Sequence, residues 1–311
     1  MKHGLQILTG NAHPQLAETI ANELETPLLE ASVSQFPDEE TSVHIQGNVR
    51  EQDVFLIQPT GPPANHNIME ALVMVDALKR ASAGRITAVL PYYGYARQDR
   101  KEKSRVPISA KLVANIFEAA GVDRLLSVDL HAHQIQGFSD LPFDHLYAGK
   151  TIRRTLKEVV QDPVIVAPDV GAAKGVKSFA RKWNADWAIV DKDRIDANTT
   201  EVTAIIGKDV KGRTALIVDD VATTAGTLLN TAEALKEQGA ERVVAAITHG
   251  VLCGNAVERI ENSKGLDELY VTDSLPRHWD ETGTIKQISI AELLARAIYN
   301  INKGDSVTGL F

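Results

Sequence analysis

The chain alternates short, almost uninterrupted apolar runs with longer segments of helical periodicity, and this pattern restricts the fold more than any other feature. Residues 5–9, 53–58, 85–91 and 124–129 read as strands in the first half, and 164–168, 187–190, 214–218, 243–248 and 268–272 in the second. The runs are near-continuous in apolar residues rather than alternating, as expected of strands covered on both faces. Between them lie helical patterns. Ile68, Leu72, Val75 and Leu78 fall on one face, and Ile108, Leu112 and Ile116 repeat at helical spacing. Gly121, Gly239 and Gly265 stand where helices should stop. Strand–helix alternation implies an α/β fold of parallel sheets flanked by helices. Ligands of such sheets bind beyond the carboxyl ends of the strands, so the polar residues after each strand are the ones to search for chemistry.

At about 150 residues per domain, 311 residues suggest two domains. Residues 137–150, GFSDLPFDHLYAGK, break the alternation with Gly and Pro and mark the expected boundary. A faint repeat points the same way: the strands at 5–9, 164–168 and 214–218 run into TGNAHP, PDVGAAKG and DDVATTAGT, each followed by a helical pattern. Two similar α/β domains account for it, although strand–loop–helix units recur in any α/β protein. Lys and Arg total 33 against 41 Asp and Glu, a net charge of −8 that argues against a general nucleic-acid or acidic-membrane binder. The single cysteine, Cys253, can build neither an intrachain disulfide nor a cysteine-rich zinc site. MKHGLQILTGNAHPQ lacks the apolar run of a secretory signal, and the longest apolar runs fall far short of the roughly 20 residues that span a bilayer. A cytoplasmic protein with no nucleic-acid or membrane partner is expected.

The strongest local signal is LIVDDVATTAGT, residues 216–227. A hydrophobic strand delivers Asp219 and Asp220 to its end, and a loop of small and hydroxyl residues leads into a helix near Gly226. Such a loop offers backbone N–H groups, the hydroxyls of Thr223, Thr224 and Thr227, and the positive end of a helix dipole, a combination suited to phosphate. The two carboxylates would repel phosphate and must face ribose hydroxyls or a metal. A strand ending in Asp-Asp beside a threonine helix cap would leave the same residues with a structural role.

This segment resembles the ribose-phosphate-binding loop of the type I phosphoribosyltransferase fold, shared by phosphoribosyltransferases and ribose-phosphate pyrophosphokinases. PYYGYARQDRK (91–101), LSVDLHAHQIQGF (126–138), THGVLCGNA and the terminal SVTGLF resemble segments of the pyrophosphokinases, and that likeness spans nearly the whole chain. The resemblance implies two phosphoribosyltransferase-like domains: 1–146, completed by the C-terminal helix 291–311, and 147–290. It implies transfer of a diphosphoryl group from ATP to the C1 hydroxyl of ribose 5-phosphate with Mg2+, by dimers assembled into hexamers. It places Arg97 and Gln98 at ATP, with the Phe36–Glu40 loop (Phe36, Asp38, Glu39, Glu40) covering adenine across a subunit interface. It assigns metal to His131 and Asp169, and diphosphate to DVGAAKG, residues 169–175. Ribose 5-phosphate falls to Asp219, Asp220, Thr223, Thr224, Ala225, Gly226 and Thr227, with Arg194 beside it. Lys192 and Arg194 are the expected catalytic cations. Their spacing of two along an extended segment points them the same way and Asp193 the other.

The family pattern has glycine at 39, arginine at 193 and a third aspartate at 223, where this chain has Glu39, Asp193 and Thr223. These departures motivate a second expectation, a catalytically weakened homologue that regulates an active partner. A phosphoribosyltransferase is a third, but it leaves PYYGYARQDRK unexplained.

Overall fold

The apolar runs become strands of two sheets, one parallel and one mainly parallel. The computed structural model describes residues 4–194, 200–280 and 282–311, without the side chains of residues 192–194 and 200–203. Two compact units emerge: one holds the chain up to Ala148 with Ser274–Pro276 and Ser289–Phe311, the other holds Gly149–Asp273 and Arg277–Ile288.

In the first unit, β1 (Leu5–Thr9) leads into α1 (Pro14–Glu23). A hairpin of β2 (Ala31–Gln35) and β3 (Thr41–Ile45) follows, then β4 (Asp53–Ile57), α2 (Ala64–Arg80), β5 (Arg85–Leu90), α3 (Ser109–Ala120), β6 (Arg124–Val128) and β7 (Phe143–Leu146). The sheet runs β1-β4-β5-β6-β7, parallel throughout. All of β4 is buried, which explains why its sequence does not alternate. The expected face of α2 meets the core through Ile68, Val75 and Leu78, with Leu72 partly buried. The expected face of α3 does not. Leu112 is 56% exposed, and Ala110, Val113, Ala114 and Phe117 pack inward instead. Alanines permit close approach to the sheet, and a count of large apolar residues overlooks them. Gly121 ends α3 in the left-handed conformation at φ 106°.

Three strands of this unit, β2, β3 and β7, are not among those expected from the sequence. The β2–β3 hairpin pairs Ala31–Gln35 with Thr41–Ile45, and its Val33, Val43 and Ile45 lie partly buried on the core between polar neighbours. Strand β7 lies within the Gly- and Pro-containing segment 137–150.

In the second unit, α4 (Gly149–Leu156), β8 (Val164–Ala167), α5 (Ala173–Trp183), β9 (Asp186–Arg194), β10 (Thr200–Gly207), β11 (Thr214–Ala222) and α6 (Gly226–Glu237) precede β12 (Arg242–Gly250), α7 (Ala256–Glu261), β13 (Glu268–Thr272) and β14 (Ile285–Ile288). The order is β10-β9-β8-β11-β12-β13-β14, with β10 antiparallel to β9 and the other pairs parallel. Gly239 follows the cap of α6 at φ 85°. Gly265 does not end a helix, since α7 is capped at Asn262. It serves a close approach instead: a Cβ there would lie 2.8 Å from the Glu233 backbone nitrogen.

The chain returns to the first unit as α8 (Ala291–Lys303), which packs against α1. Arg85 forks onto the Asp53 carboxylate and donates to the Ile301 carbonyl at 3.1 Å, while Asn302 donates to Asp53 at 2.9 Å. Asp53 is 1% exposed, so these partners compensate a buried charge at the start of β4.

Candidate active site

In the second unit the apolar core of β11 (Ala215, Leu216, Ile217) gives way to half-buried Asp219 and Asp220. Strand β8 runs parallel beside it and ends two residues before Asp169. The two strands therefore send three carboxylates out of the same edge of the sheet. Burial holds the Asp219 carboxyl well above the usual carboxylate range, and the negative charges of Asp220 and Asp169 push it the same way. A cation or cation-bound ligand there would relieve that repulsion. Asp169 accepts from the Ala172 N–H at 3.1 Å, closing the turn into α5.

The loop after β11 has its carbonyls held on one side. Ala222 O accepts from Val251 and Leu252 N–H at 3.0 and 3.1 Å, and Thr223 O accepts from Cys253 N–H at 2.8 Å. Thr224 O accepts from the Arg259 guanidinium at 2.9 Å. In a trans peptide the C=O and N–H point in opposite directions. The N–H groups of Thr223, Thr224 and Ala225 are thus turned the other way. Ala225 caps α6 in the left-handed region at φ 58°. Three N–H groups, nearby threonine hydroxyls and a helix N-terminus together form a cradle suited to an anion such as phosphate.

Lys192 and Arg194 fall at the end of β9, where it pairs with β10 beyond the stretch that pairs with β8. Their side chains lie outside the described residues.

In the first unit Phe36–Glu40 forms the tip of the β2–β3 hairpin, closed by Phe36 N–H to Glu40 O at 2.8 Å and Glu39 N–H to Phe36 O at 2.9 Å. The Asp38 carboxylate accepts from Glu40 N–H at 3.3 Å, and Phe36 is 54% exposed. Glu39 stands at φ 70°, the left-handed conformation that the family's glycine would adopt without strain. Gln35, at the base of the tip, meets His66 at 3.2 Å, and Tyr95 donates to Asn65 at 2.5 Å. The first turn of α2 therefore holds both the hairpin and the loop that leads to Arg97 and Gln98. Arg97 is exposed. Gln98 accepts from the Ser109 hydroxyl at 2.5 Å through Oε1, which leaves its amide nitrogen as the donor end. His131 follows β6, the parallel neighbour of β5, so the strand ends bring Arg97, Gln98 and His131 to one edge.

Among the described residues no three His, Cys, Asp or Glu side chains converge as a metal cage. Mg2+ needs no such cage, since it commonly binds one or two carboxylates and retains water or phosphate oxygens.

Several supporting residues carry little signal in the sequence. Glu70, 1% exposed, accepts from Asn11 N–H and Gln58 Nε2, while the Asn11 amide bonds both Glu70 and the Val33 carbonyl of the hairpin. An acid on the apolar face of α2, one turn before Met74, was the available signal. The Arg259–Thr224 contact gave none, because its partners are 35 residues apart.

Fold and loops together define an α/β protein of the phosphoribosyltransferase-like class. Residues 5–121 match the family profile of the N-terminal domain of ribose phosphate pyrophosphokinase, and residues 201–311 match that of the phosphoribosyl synthetase-associated domain. The ribose-phosphate pyrophosphokinase of Neisseria meningitidis serogroup A is 50% identical over 99% of this chain and 94% of its own. That of Burkholderia pseudomallei is 51% identical over 99% and 98%. The crystal structure of phosphoribosylpyrophosphate synthetase from Mycobacterium smegmatis superposes with a TM-score of 0.89 at 39% identity, covering 97% of this chain and 99% of that one. The chain belongs to the ribose-phosphate pyrophosphokinase family. No helix among the described residues is long and apolar enough to cross a membrane.

Proposed function

We propose that the chain transfers the diphosphoryl group of ATP to the C1 hydroxyl of ribose 5-phosphate, yielding 5-phospho-α-D-ribose 1-diphosphate and AMP for nucleotide biosynthesis. The observation that carries this reading is the β11 strand end, where two carboxylates precede a loop whose N–H groups share one side. N–H groups and hydroxyls of Thr223–Thr227 hold the 5-phosphate, and Asp219 and Asp220 accept from the ribose hydroxyls. The C1 oxygen attacks the β-phosphorus and the bond to the oxygen bridging the α- and β-phosphates breaks. AMP leaves with that oxygen, and the hydroxyl proton passes to solvent. Lys192 and Arg194 offset charge that grows on the transferring group. Arg97 and Gln98 hold the ATP phosphates, Phe36 covers adenine, and Asp38 and Glu40 accept from its amine, with Glu39 shaping the tip.

His131 and Asp169 would each serve as a ligand for Mg2+, and the charge around Asp219 and Asp169 supports a cation at the strand ends of the second unit. When bound, Mg2+ neutralises polyphosphate oxygens and orients them for in-line transfer. Domains 1–146 with 291–311 and 147–290, a cytoplasmic location, and a homo-oligomer of dimers assembled into a hexamer complete the proposal.

Product analysis with ATP, Mg2+ and ribose 5-phosphate, each omitted in turn, tests it. Equal amounts of AMP and phosphoribosyl pyrophosphate, formed only with all three, are expected. Binding of both substrates without product would overturn it in favour of a regulatory homologue.

A further inference from the structure

We propose that Arg259 is a positioning residue for the sugar-phosphate loop: it locks the peptide between Thr224 and Ala225 so that its N–H faces the ligand. The inference rests on the reading of residues 223–227 as the ribose 5-phosphate site.

Three successive carbonyls are held away from the cradle. Those of Ala222 and Thr223 are held by backbone N–H groups of residues 251–253, which no side-chain change removes. That of Thr224 receives its bond from the Arg259 side chain, carried by α7. The same peptide is the one under tension. Ala225 occupies the left-handed region at φ 58°, unfavourable for a residue with a Cβ. The relaxed alternative flips the 224–225 peptide, which takes Ala225 out of that region and swings the Thr224 carbonyl into the cradle. A carbonyl facing a phosphate repels it where an N–H would bind. The charge-assisted bond from Arg259 opposes the flip. The Ala256 N–H bonds the Cys253 carbonyl at 3.2 Å, so α7 and the segment that clamps the first two carbonyls are joined. The β12–α7 connection thus sets the direction of all three peptides, with Arg259 fixing the one that has reason to turn.

The test is initial-rate kinetics on the full chain with Arg259→Ala and with Arg259→Met, which keeps the alkyl stem. The KM for ribose 5-phosphate should rise about tenfold in both, the equivalent of about 1.4 kcal/mol, while the KM for ATP and kcat at saturation stay within about twofold. Glycine accepts positive φ without strain. In an Ala225→Gly background, with that single variant as reference, Arg259→Ala should therefore raise the KM for ribose 5-phosphate less than about threefold. An unchanged KM, an equal rise for both substrates, or an undiminished effect in the glycine background would overturn the role; the last would mean that Arg259 acts by its charge on the ligand. Failure of the wild type to saturate with ribose 5-phosphate would sink the reading of the loop itself, whereas saturation with unaffected Arg259 variants would sink this inference alone.

Discussion

The Gln134 amide donates to the Asp99 carboxylate at 2.8 Å, joining the loop after β6 to the loop after β5. Asp99 stands two residues beyond Arg97, and Gln134 three beyond His131. The bond ties the loop proposed to hold ATP to the loop proposed to hold metal. An exposed pair adds little stability, so its removal should be felt in geometry. Gln134→Ala should change unfolding free energy by less than about 0.5 kcal/mol. It should lower kcat/KM for ATP about threefold to tenfold while sparing the KM for ribose 5-phosphate. Denaturant melts and initial rates check both.

Lys192→Ala should reduce kcat by about 10²–10³, with KM values altered less than about threefold, because its charge acts mainly on the transition state. Steady-state kinetics of the variant decide this, and an unchanged kcat removes Lys192 from the mechanism.

Asp219 carries a raised carboxyl pKa, first from burial and then from Asp220. The folded state therefore holds this proton more tightly than the unfolded chain, and ionisation costs stability above the folded pKa. The cost disappears as pH falls below the unfolded value of about 4. Asp219→Asn should raise Tm at pH 7 by about 2–4 °C, the effect of ~1 kcal/mol in a unit of this size, and the gain should vanish near pH 4. The same variant should lose affinity for ribose 5-phosphate. Thermal melts across pH, with no gain at neutral pH, would contradict the repulsion.

Glu39 keeps a glycine-like φ of 70° at the tip of the hairpin. Glu39→Gly should relieve strain of up to ~1 kcal/mol and preserve the tip, so the KM for ATP should stay within about twofold. A large rise in that KM would show that the Glu39 side chain itself contacts the nucleotide.

The strands buried on both faces were legible because their sequences cannot alternate: β4 and β8 are apolar almost throughout and buried throughout. Asp219 and Asp220 mark the change from apolar to polar in the sequence, but the expected end of the strand at 218 did not hold: β11 runs on through both carboxylates and Val221 to buried Ala222, because its pairing with β12 continues that far. The inward face of α3 was not legible, because Ala110 and Ala114 carry too little apolar mass to register beside Leu112 and Ile116. The hairpin leaves little mark in the sequence because its polar side chains alternate with only a few apolar ones. Local composition therefore marked most of the strands of the two large sheets and the polar residues that follow their apolar runs. Partner choice came from tertiary structure, because contacts between residues far apart depend on which strand ends lie side by side. The Asp99–Gln134 bond, the Asn11–Glu70–Gln58 cluster and the hold of Arg259 on Thr224 arise that way, and neither sequence partner carries a mark of the other.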